Sequence, residues 1–218
     1  MTSNVPLSIV ILAVWSYWIC VVVMTIRSHL RYRTAAGGLP RTARERWMWV
    51  AWMPAVLLWQ VLPYLASHSS HAALATPEFL GQYPALEIVR WGAAVLAVLA
   101  FGLTIPCWLG MGRNWSMAIV PRKRSRLVTN GMFARVRHPI YALSILLMGA
   151  TMIVTASPAM TLAGIVHITM ICLKALSEET HLRQVHGQQY ADYCSRTGRF
   201  LPRVLVSPAD RPQRKTAA

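Results

Sequence analysis

The chain has 218 residues, of which 55% are hydrophobic and 13% are charged, and its formal net charge is +15. Soluble domains average about 25% charged residues, so an ordinary soluble enzyme does not fit this composition. A nucleic-acid-binding protein would account for the charge but not for the hydrophobicity, and the cations form no single long tail. An integral membrane protein with basic loops on one side accounts for both numbers, and we expect no nucleic-acid partner.

Five apolar stretches are long enough to cross a bilayer, which takes roughly 17–25 residues in a helix. They cover about residues 6–26, 47–66, 88–109, 139–156 and 159–176. The first has no preceding Lys or Arg to form the basic region of a signal peptide, so we expect it to remain in the mature protein. Only Ser157 and Pro158 separate the last two, which predicts a tight helical hairpin.

The cations are distributed unevenly between the loops. Of the 22 Lys and Arg residues, six follow the first span, seven follow the third span, and eight run from Lys174 to the end of the chain. The N-terminus, the loop 67–87 and the turn 157–158 have none, and only Arg90 remains, at the outer edge of the third span, where it can snorkel. The positive-inside rule therefore predicts an outer N-terminus and a cytoplasmic C-terminus.

The cysteines and histidines give no metal-binding pattern. Cys20, Cys107, Cys172 and Cys194 are far apart and contain no CxxC pair, which argues against both a disulfide scaffold and a thiolate zinc site. His68 and His71 have HxxH spacing in the outer loop, but no clear third ligand accompanies them. We therefore predict no bound metal.

The fourth span is opened by Arg137-His138-Pro139-Ile140-Tyr141. Proline suits the first position of a helix, because its φ angle is already helical and its missing N–H would have had no partner there. A helix start offers free N–H groups and a positive dipole to an anion. We therefore predict that a carboxylate or phosphate binds there, beside His138 and Tyr141.

Glu178 and Glu179, at the inner end of the fifth span, are two of only seven acidic residues. The helix dipole disfavours them at this end, so they require a partner, either Arg137 and its neighbours or a cationic ligand. The predicted hairpin places His138 and Tyr141 close to both glutamates. An anion-binding helix start beside two carboxylates suits a zwitterionic ligand.

Six motifs follow one another on the predicted cytoplasmic side. They are Gly110-Met111-Gly112-Arg113-Asn114-Trp115-Ser116, Leu127-Val128-Thr129-Asn130-Gly131, Arg137-His138-Pro139-Ile140-Tyr141, Glu178-Glu179-Thr180-His181-Leu182, Gly187-Gln188-Gln189-Tyr190-Ala191-Asp192-Tyr193 and Arg199-Phe200-Leu201-Pro202. This ordered series resembles the isoprenylcysteine carboxyl methyltransferase and phospholipid methyltransferase superfamily of integral membrane enzymes. It covers under half of the chain, and the order of the motifs carries the resemblance.

The resemblance implies an enzyme that binds S-adenosylmethionine in a cytoplasmic pocket between the last two spans and the C-terminal helices. The residues it assigns to the cofactor are Gly110, Gly112, His138, Pro139, Tyr141, Glu178, Glu179, Tyr190 and Tyr193, and the catalytic candidates are Glu179, Arg196 and Arg199. Leu143 stands where such families often have a small residue, which leaves the pocket wall and the acceptor open.

Methyl transfer from a sulfonium depends mainly on positioning the two reactants. A carboxylate or thiolate acceptor needs no base, whereas an amine must lose a proton, which a glutamate or histidine can accept. Arg196 or Arg199 could hold an anionic acceptor with two parallel hydrogen bonds.

Carboxyl methylation of an isoprenylcysteine-type substrate is the leading hypothesis. Phospholipid N-methylation, thiol S-methylation, an NADPH-dependent reductase of the sterol-reductase type and a non-enzymatic scaffold or transporter remain alternatives.

We therefore predict an all-α membrane protein with three regions. Residues 1–109 hold the first three spans and face the lipid or amphiphilic substrate, residues 110–203 form the cofactor-binding catalytic region, and residues 204–218 form a flexible basic tail. Within the second region, the apolar spacing after Glu179, interrupted by Gly187, predicts a pair of amphipathic surface helices. The sequence leaves the oligomeric state open.

Overall fold

The computed structural model describes residues 4–32, 43–112 and 127–203. Five α-helices account for most of them: α1 (Val5–Tyr32), α2 (Ala43–His68), α3 (Pro84–Met111), α4 (Pro139–Thr155) and α5 (Pro158–Arg196). Two single-turn 3₁₀ helices, Glu78–Gly81 and Gly131–Ala134, lie in the connections. The all-α prediction is confirmed for the described residues. The predicted tail 204–218 and the residues 113–116 of the first motif lie outside them.

Four of these helices are long and apolar enough to cross a membrane, namely α1, α2, α3 and α5. The fourth predicted span corresponds to α4, an apolar helix of 17 residues. At about 1.5 Å per residue it is about 25 Å long, somewhat less than a hydrocarbon layer of about 30 Å. The structure therefore has four to five candidate membrane helices, and the predicted orientation stays a prediction.

The hairpin between α4 and α5 is as tight as predicted. Ala156 ends α4 in the left-handed conformation with φ 51°. Ser157 is the N-cap of α5 and accepts a hydrogen bond from the Met160 N–H, and Pro158 occupies the first helical position. The start of α4 and the far part of α5 consequently lie at the same end of the molecule, which is the predicted cytoplasmic end.

Helix α5 has 39 residues and is longer than the predicted fifth span. At about 1.5 Å per residue, a layer of about 30 Å takes about 20 residues, so the last part of α5 extends beyond the membrane. Gly187 interrupts that extension with φ 51° and ψ −125°, and helical geometry resumes after it. The interruption at Gly187 is therefore confirmed.

The helices pack around a core in which several polar side chains are paired with each other. Trp59, Leu147, Met148 and Val154 are almost completely buried there. His167, at mid-membrane depth in α5, accepts a hydrogen bond from the Trp52 indole at 3.1 Å, and its other ring nitrogen lies 3.1 Å from Ser144 Oγ. A buried polar group costs little when both of its atoms are hydrogen-bonded.

Arg90 differs from the sequence prediction. It is buried, and its guanidinium donates to Asn4 Oδ1 at 2.6 Å, Glu87 Oε2 at 2.9 Å and the Val154 carbonyl at 3.3 Å. These three acceptors come from the segment before α1, from α3 and from α4. Arg90 therefore connects these elements at the end of the molecule opposite to Glu178 and Glu179, instead of snorkelling.

Candidate active site

A short backbone contact assembles the site. Val136 and Gly198 form an isolated parallel bridge, in which the Arg137 N–H donates to the Gly198 carbonyl at 2.8 Å and the Gly198 N–H donates to the Arg135 carbonyl at 3.2 Å. The next residue continues the pattern, since the His138 N–H donates to the Arg199 carbonyl at 3.0 Å. The segment that enters α4 is thereby joined to the segment that leaves α5.

Glu179 is at the centre of the site and is buried. Its carboxylate accepts hydrogen bonds from Arg137 Nε at 3.0 Å and from Arg199 Nε and Nη2, both at 2.9 Å. His138 Nε2 lies 3.5 Å from Oε1. Of the two kinds of partner considered for the glutamates, the structure shows Arg137 on Glu179, and Arg199 forms a second, bidentate ion pair.

These cations determine the charge of Glu179. Burial by itself raises the pKa of this carboxyl group, but the neighbouring His138, Arg199 and Arg137 side chains outweigh it and hold the pKa well below its usual range. The same contact raises the pKa of Arg199. Glu179 is therefore a permanently ionised group at neutral pH.

Glu178 faces the start of α4. Its Oε1 accepts a hydrogen bond from the Tyr141 hydroxyl, and its Oε2 lies 3.7 Å from His138 Nδ1. The rings of His138 and Tyr141 are stacked, with centroids 5.3 Å apart and planes within 4°. The prediction that His138, Tyr141 and the two glutamates are neighbours is confirmed.

Tyr190 and Tyr193 follow Glu178 and Glu179 in the last part of α5, and both are buried. The Tyr193 hydroxyl donates to the Phe133 carbonyl at 2.6 Å, which fixes the 3₁₀ turn against α5. The Tyr190 hydroxyl has no oxygen or nitrogen partner within hydrogen-bonding geometry among the described residues. Burial and the nearby Cys194 thiol raise the pKa of Tyr190, so the hydroxyl keeps its proton.

Three predicted site residues lie apart from the glutamates. Arg196 is exposed, and its Nε donates to the Asp192 carbonyl of its own helix at 3.2 Å. Gly110 is in the last turn of α3, and Gly112 caps that helix with φ 48°. The structure thus favours Arg199 over Arg196 as the arginine of the site.

Sequence analysis missed several contacts that support the site. Arg137 was expected only as a partner of the glutamates, but its Nη1 also donates to the backbone carbonyls of Thr197 and of Cys194, which closes the end of α5. The Phe200 ring lies 6.2 Å from that of His138. Lys174 stands over the rings of Trp52 and Tyr141. The motif positions of Arg137 and Phe200 were visible in the sequence, but these contacts were not, because they join distant parts of the chain.

Replacing Gly198 with Ala is expected to disrupt the site without touching any of its side chains. A Cβ atom there would lie 1.8 Å from the Leu201 carbonyl oxygen, so the backbone has to move. We expect the variant to lose several degrees of thermal stability and most of its ligand binding, as measured by thermal unfolding and calorimetry in detergent. Gly92→Ala is the matched control, because a Cβ atom there meets nothing within 4 Å. A Gly198→Ala protein that behaves like the control would contradict this role.

The fold and the site define a class of protein. Several apolar helices of membrane length, with a cluster of buried ion pairs at one end, are characteristic of a multi-pass membrane protein with a polar ligand site. Residues 89–189 match the family model described as phospholipid methyltransferase. This family lies within the superfamily that the six motifs resemble, so the resemblance is confirmed. The match is to a family of methyltransferases.

A curated relative is the nickel-cobalt-cadmium resistance protein NccN of Alcaligenes xylosoxydans xylosoxydans. It is 30% identical to this chain over 117 residues, which cover 52% of the chain and 53% of the relative. The chain thus spans about half the length of the curated relative that it matches. The name of that protein describes a resistance phenotype and gives no reaction.

Proposed function

We propose that this protein is an S-adenosylmethionine-dependent methyltransferase that acts on a lipid-like or amphiphilic acceptor at the cytoplasmic face of the membrane. One observation carries the proposal. The glutamate pair of α5 and the His138–Tyr141 start of α4 converge within 4 Å of each other, and they do so inside the stretch that matches the methyltransferase family.

The residues of the site fit this cofactor. Its amino group and sulfonium are cationic, and Glu178 offers them an ionisable carboxyl group that is partly exposed. Its carboxylate suits the N-terminus of α4, where Pro139 occupies the first position. The buried Tyr190 hydroxyl, without an oxygen or nitrogen partner among the described residues, is available to a polar group of the ligand.

The cofactor would supply a methyl group activated on a positively charged sulfur. The residues of the chain contribute by positioning the cofactor and the acceptor and by removing water from them. Arg137 and Arg199 are bound to Glu179, so they act as positioning residues that hold this carboxylate, and through the bridge at Gly198 they hold the start of α4 against α5. Glu179 takes two of the five N–H donors of Arg199, the Nε–H and one Nη2–H, and does not use the other three.

The acceptor is proposed to be an amphiphile with a carboxylate, of the isoprenylcysteine type. A carboxylate needs no base, and Glu179 is a weak one, because its arginine partners hold its pKa well below the usual range. For an amine acceptor, such as a phospholipid head group, Glu178 or His138 would have to take the proton. Thiol S-methylation is the other alternative within the same cofactor class.

Calorimetry with the detergent-solubilised protein tests the proposal. We expect S-adenosylmethionine and its demethylated product to bind, and Glu178→Gln to weaken binding about tenfold or more, because a charged hydrogen-bond acceptor is lost. Glu78→Gln changes an exposed glutamate at the opposite end and is the matched control.

Two further results decide between the alternatives. Absence of binding at millimolar S-adenosylmethionine contradicts the proposal, and binding of NADPH in its place favours a reductase. Transfer of a radiolabelled methyl group into a lipid extract would identify the acceptor. Cofactor binding with no transfer to any membrane extract would favour a non-enzymatic scaffold.

A further inference from the structure

His167 is a fully buried ionisable residue of α5 that the proposed function leaves unassigned. At about 1.5 Å per residue, it lies about 14 Å along the helix from Pro158, close to the middle of a hydrocarbon layer about 30 Å thick. An ionisable side chain at this depth is costly and usually has a function besides filling space. The partners of His167 therefore indicate its role.

Both ring nitrogens of His167 are hydrogen-bonded, and the two partners come from two other helices. The Trp52 indole of α2 donates to Nδ1 at 3.1 Å, and Ser144 Oγ of α4 lies 3.1 Å from Nε2. An indole N–H is a donor only, so Nδ1 is the acceptor, and the proton of the neutral ring is on Nε2, facing Ser144. His167 thus joins α2 and α4 to α5 with one defined geometry.

The Ser144 contact connects His167 to the site through α4. Ser144 and Tyr141 are three residues apart, so they lie on the same side of that helix. His167 and Glu178 are 11 residues apart in α5, about three turns, so they also share a side. The contact between Ser144 and His167 therefore sets how α4 lies along α5. The hydrogen bond from the Tyr141 hydroxyl to Glu178 depends on that setting.

The Trp52 contact forms a second connection. Trp52, Val56 and Ile171 form a buried apolar cluster, and Tyr141 packs against it. Lys174 contacts both aromatic rings, since its Nζ lies 5.0 Å from the centroid of the Trp52 ring and 5.5 Å from that of Tyr141. A Trp52 ring that is held by His167 therefore supports the Tyr141 ring.

We propose that His167 is a positioning residue for the cofactor site. Its two hydrogen bonds orient Trp52 and the first turns of α4, and these hold the Tyr141 hydroxyl on Glu178. An apolar side chain would fill the same space, but a satisfied polar side chain also specifies one relative position of the neighbouring helices. The inference rests on the proposed function for the identity of the ligand, whereas the coupling between His167 and Tyr141 is measurable without any ligand.

Calorimetry with S-adenosylmethionine and the full-length protein in detergent tests the effect on binding. His167→Leu leaves the Trp52 indole without its acceptor, and we expect affinity to fall about fivefold, as one weakened hydrogen bond in the site gives. Thr151→Val is the matched control, because it leaves another buried indole of α2, that of Trp59, without its acceptor. Both variants should lose thermal stability, and only His167→Leu should lose affinity.

Two further variants attribute the loss to the hydrogen bonds. His167→Asn offers an amide oxygen near the position of Nδ1, so it should recover part of the affinity. Trp52→Phe keeps an aromatic ring without the donor, and it should lose affinity even where His167→Leu does not fold. Unchanged affinity in the folded His167→Leu or Trp52→Phe protein, or an equal loss in Thr151→Val, would overturn the inference.

Chemical unfolding without cofactor separates this inference from the proposed function. Tyr141→Phe removes the hydroxyl that binds Glu178. Combined with His167→Leu or Trp52→Phe, it should decrease the free energy of unfolding by less than the sum of the single decreases, whereas its combination with Thr151→Val should be additive. Additive decreases in the first combination would contradict a positioning role. If the coupling is present while S-adenosylmethionine does not bind the wild-type protein, only the proposed function fails.

Discussion

Replacing Glu179 with Gln is expected to cause the largest loss of both stability and cofactor binding of any single carboxylate change. The substitution leaves two arginines and His138 facing a neutral amide in a buried site. Removing one partner of a buried ion pair costs about 3–5 kcal/mol, because the remaining charge is desolvated without compensation. We expect a decrease of this size in the free energy of unfolding, as measured by chemical unfolding in detergent, and loss of measurable cofactor binding.

Adding the substitution Arg137→Met to Glu179→Gln shows whether the loss of stability in Glu179→Gln comes from a lost attraction or from an arginine left without a partner. In the double variant, which combines Arg137→Met with Glu179→Gln, one of the unpaired charges is absent. The decrease in its free energy of unfolding should therefore be smaller than the sum of the decreases in the two single variants. Glu78→Gln, at an exposed carboxylate, should change stability by less than about 0.5 kcal/mol. Additive losses in the double variant would mean that Arg137 and Glu179 act independently.

The effect of Glu179 also depends on pH. The pKa of Glu179 is lowered in the folded protein, so its stabilising contribution is complete above the ordinary carboxyl value of 4.5 and is lost as pH falls below it. The stability difference between the wild type and Glu179→Gln should therefore narrow in acid. A difference that stays constant from neutral pH to well below pH 4.5 would contradict the assigned ion pairs.

Periodicity and length were sufficient to predict the helices of this protein. The proline at the first position of α4 and the minimal turn at 157–158 define the hairpin, and the hairpin alone places His138 beside Glu178. These features are local, so the sequence contains them directly. The prediction that His138 and Tyr141 are neighbours of the glutamates followed from this hairpin.

The pairing of distant side chains could not be predicted in the same way. Arg199 was expected to hold a substrate anion, whereas its guanidinium is bound to Glu179. The reason is the backbone bridge between Val136 and Gly198, a contact across more than 60 residues that has no periodic signal. Arg196 and Arg199 are equivalent by charge and spacing, and only this bridge brings Arg199 to the carboxylate.

Replacing Arg137 with Lys is expected to destabilise the site, although the charge is kept. Arg137 is mostly buried, and its guanidinium donates at the same time to Glu179 and to the carbonyls of Thr197 and Cys194. A lysine ammonium is a compact charge without the planar fork that reaches acceptors in different directions. At least one buried carbonyl then loses its partner, at about 1–3 kcal/mol.

Chemical unfolding in detergent should therefore place Arg137→Lys between the wild type and Arg137→Met in free energy of unfolding. The exposed Arg183→Lys is the matched control, and it should be indistinguishable from the wild type. Cofactor affinity should fall in Arg137→Lys as well, because Arg137 connects the end of α5 to the segment that starts α4. If Arg137→Lys keeps wild-type stability and affinity, charge alone suffices at this position, and the connection between α4 and α5 depends on the backbone bridge at Gly198.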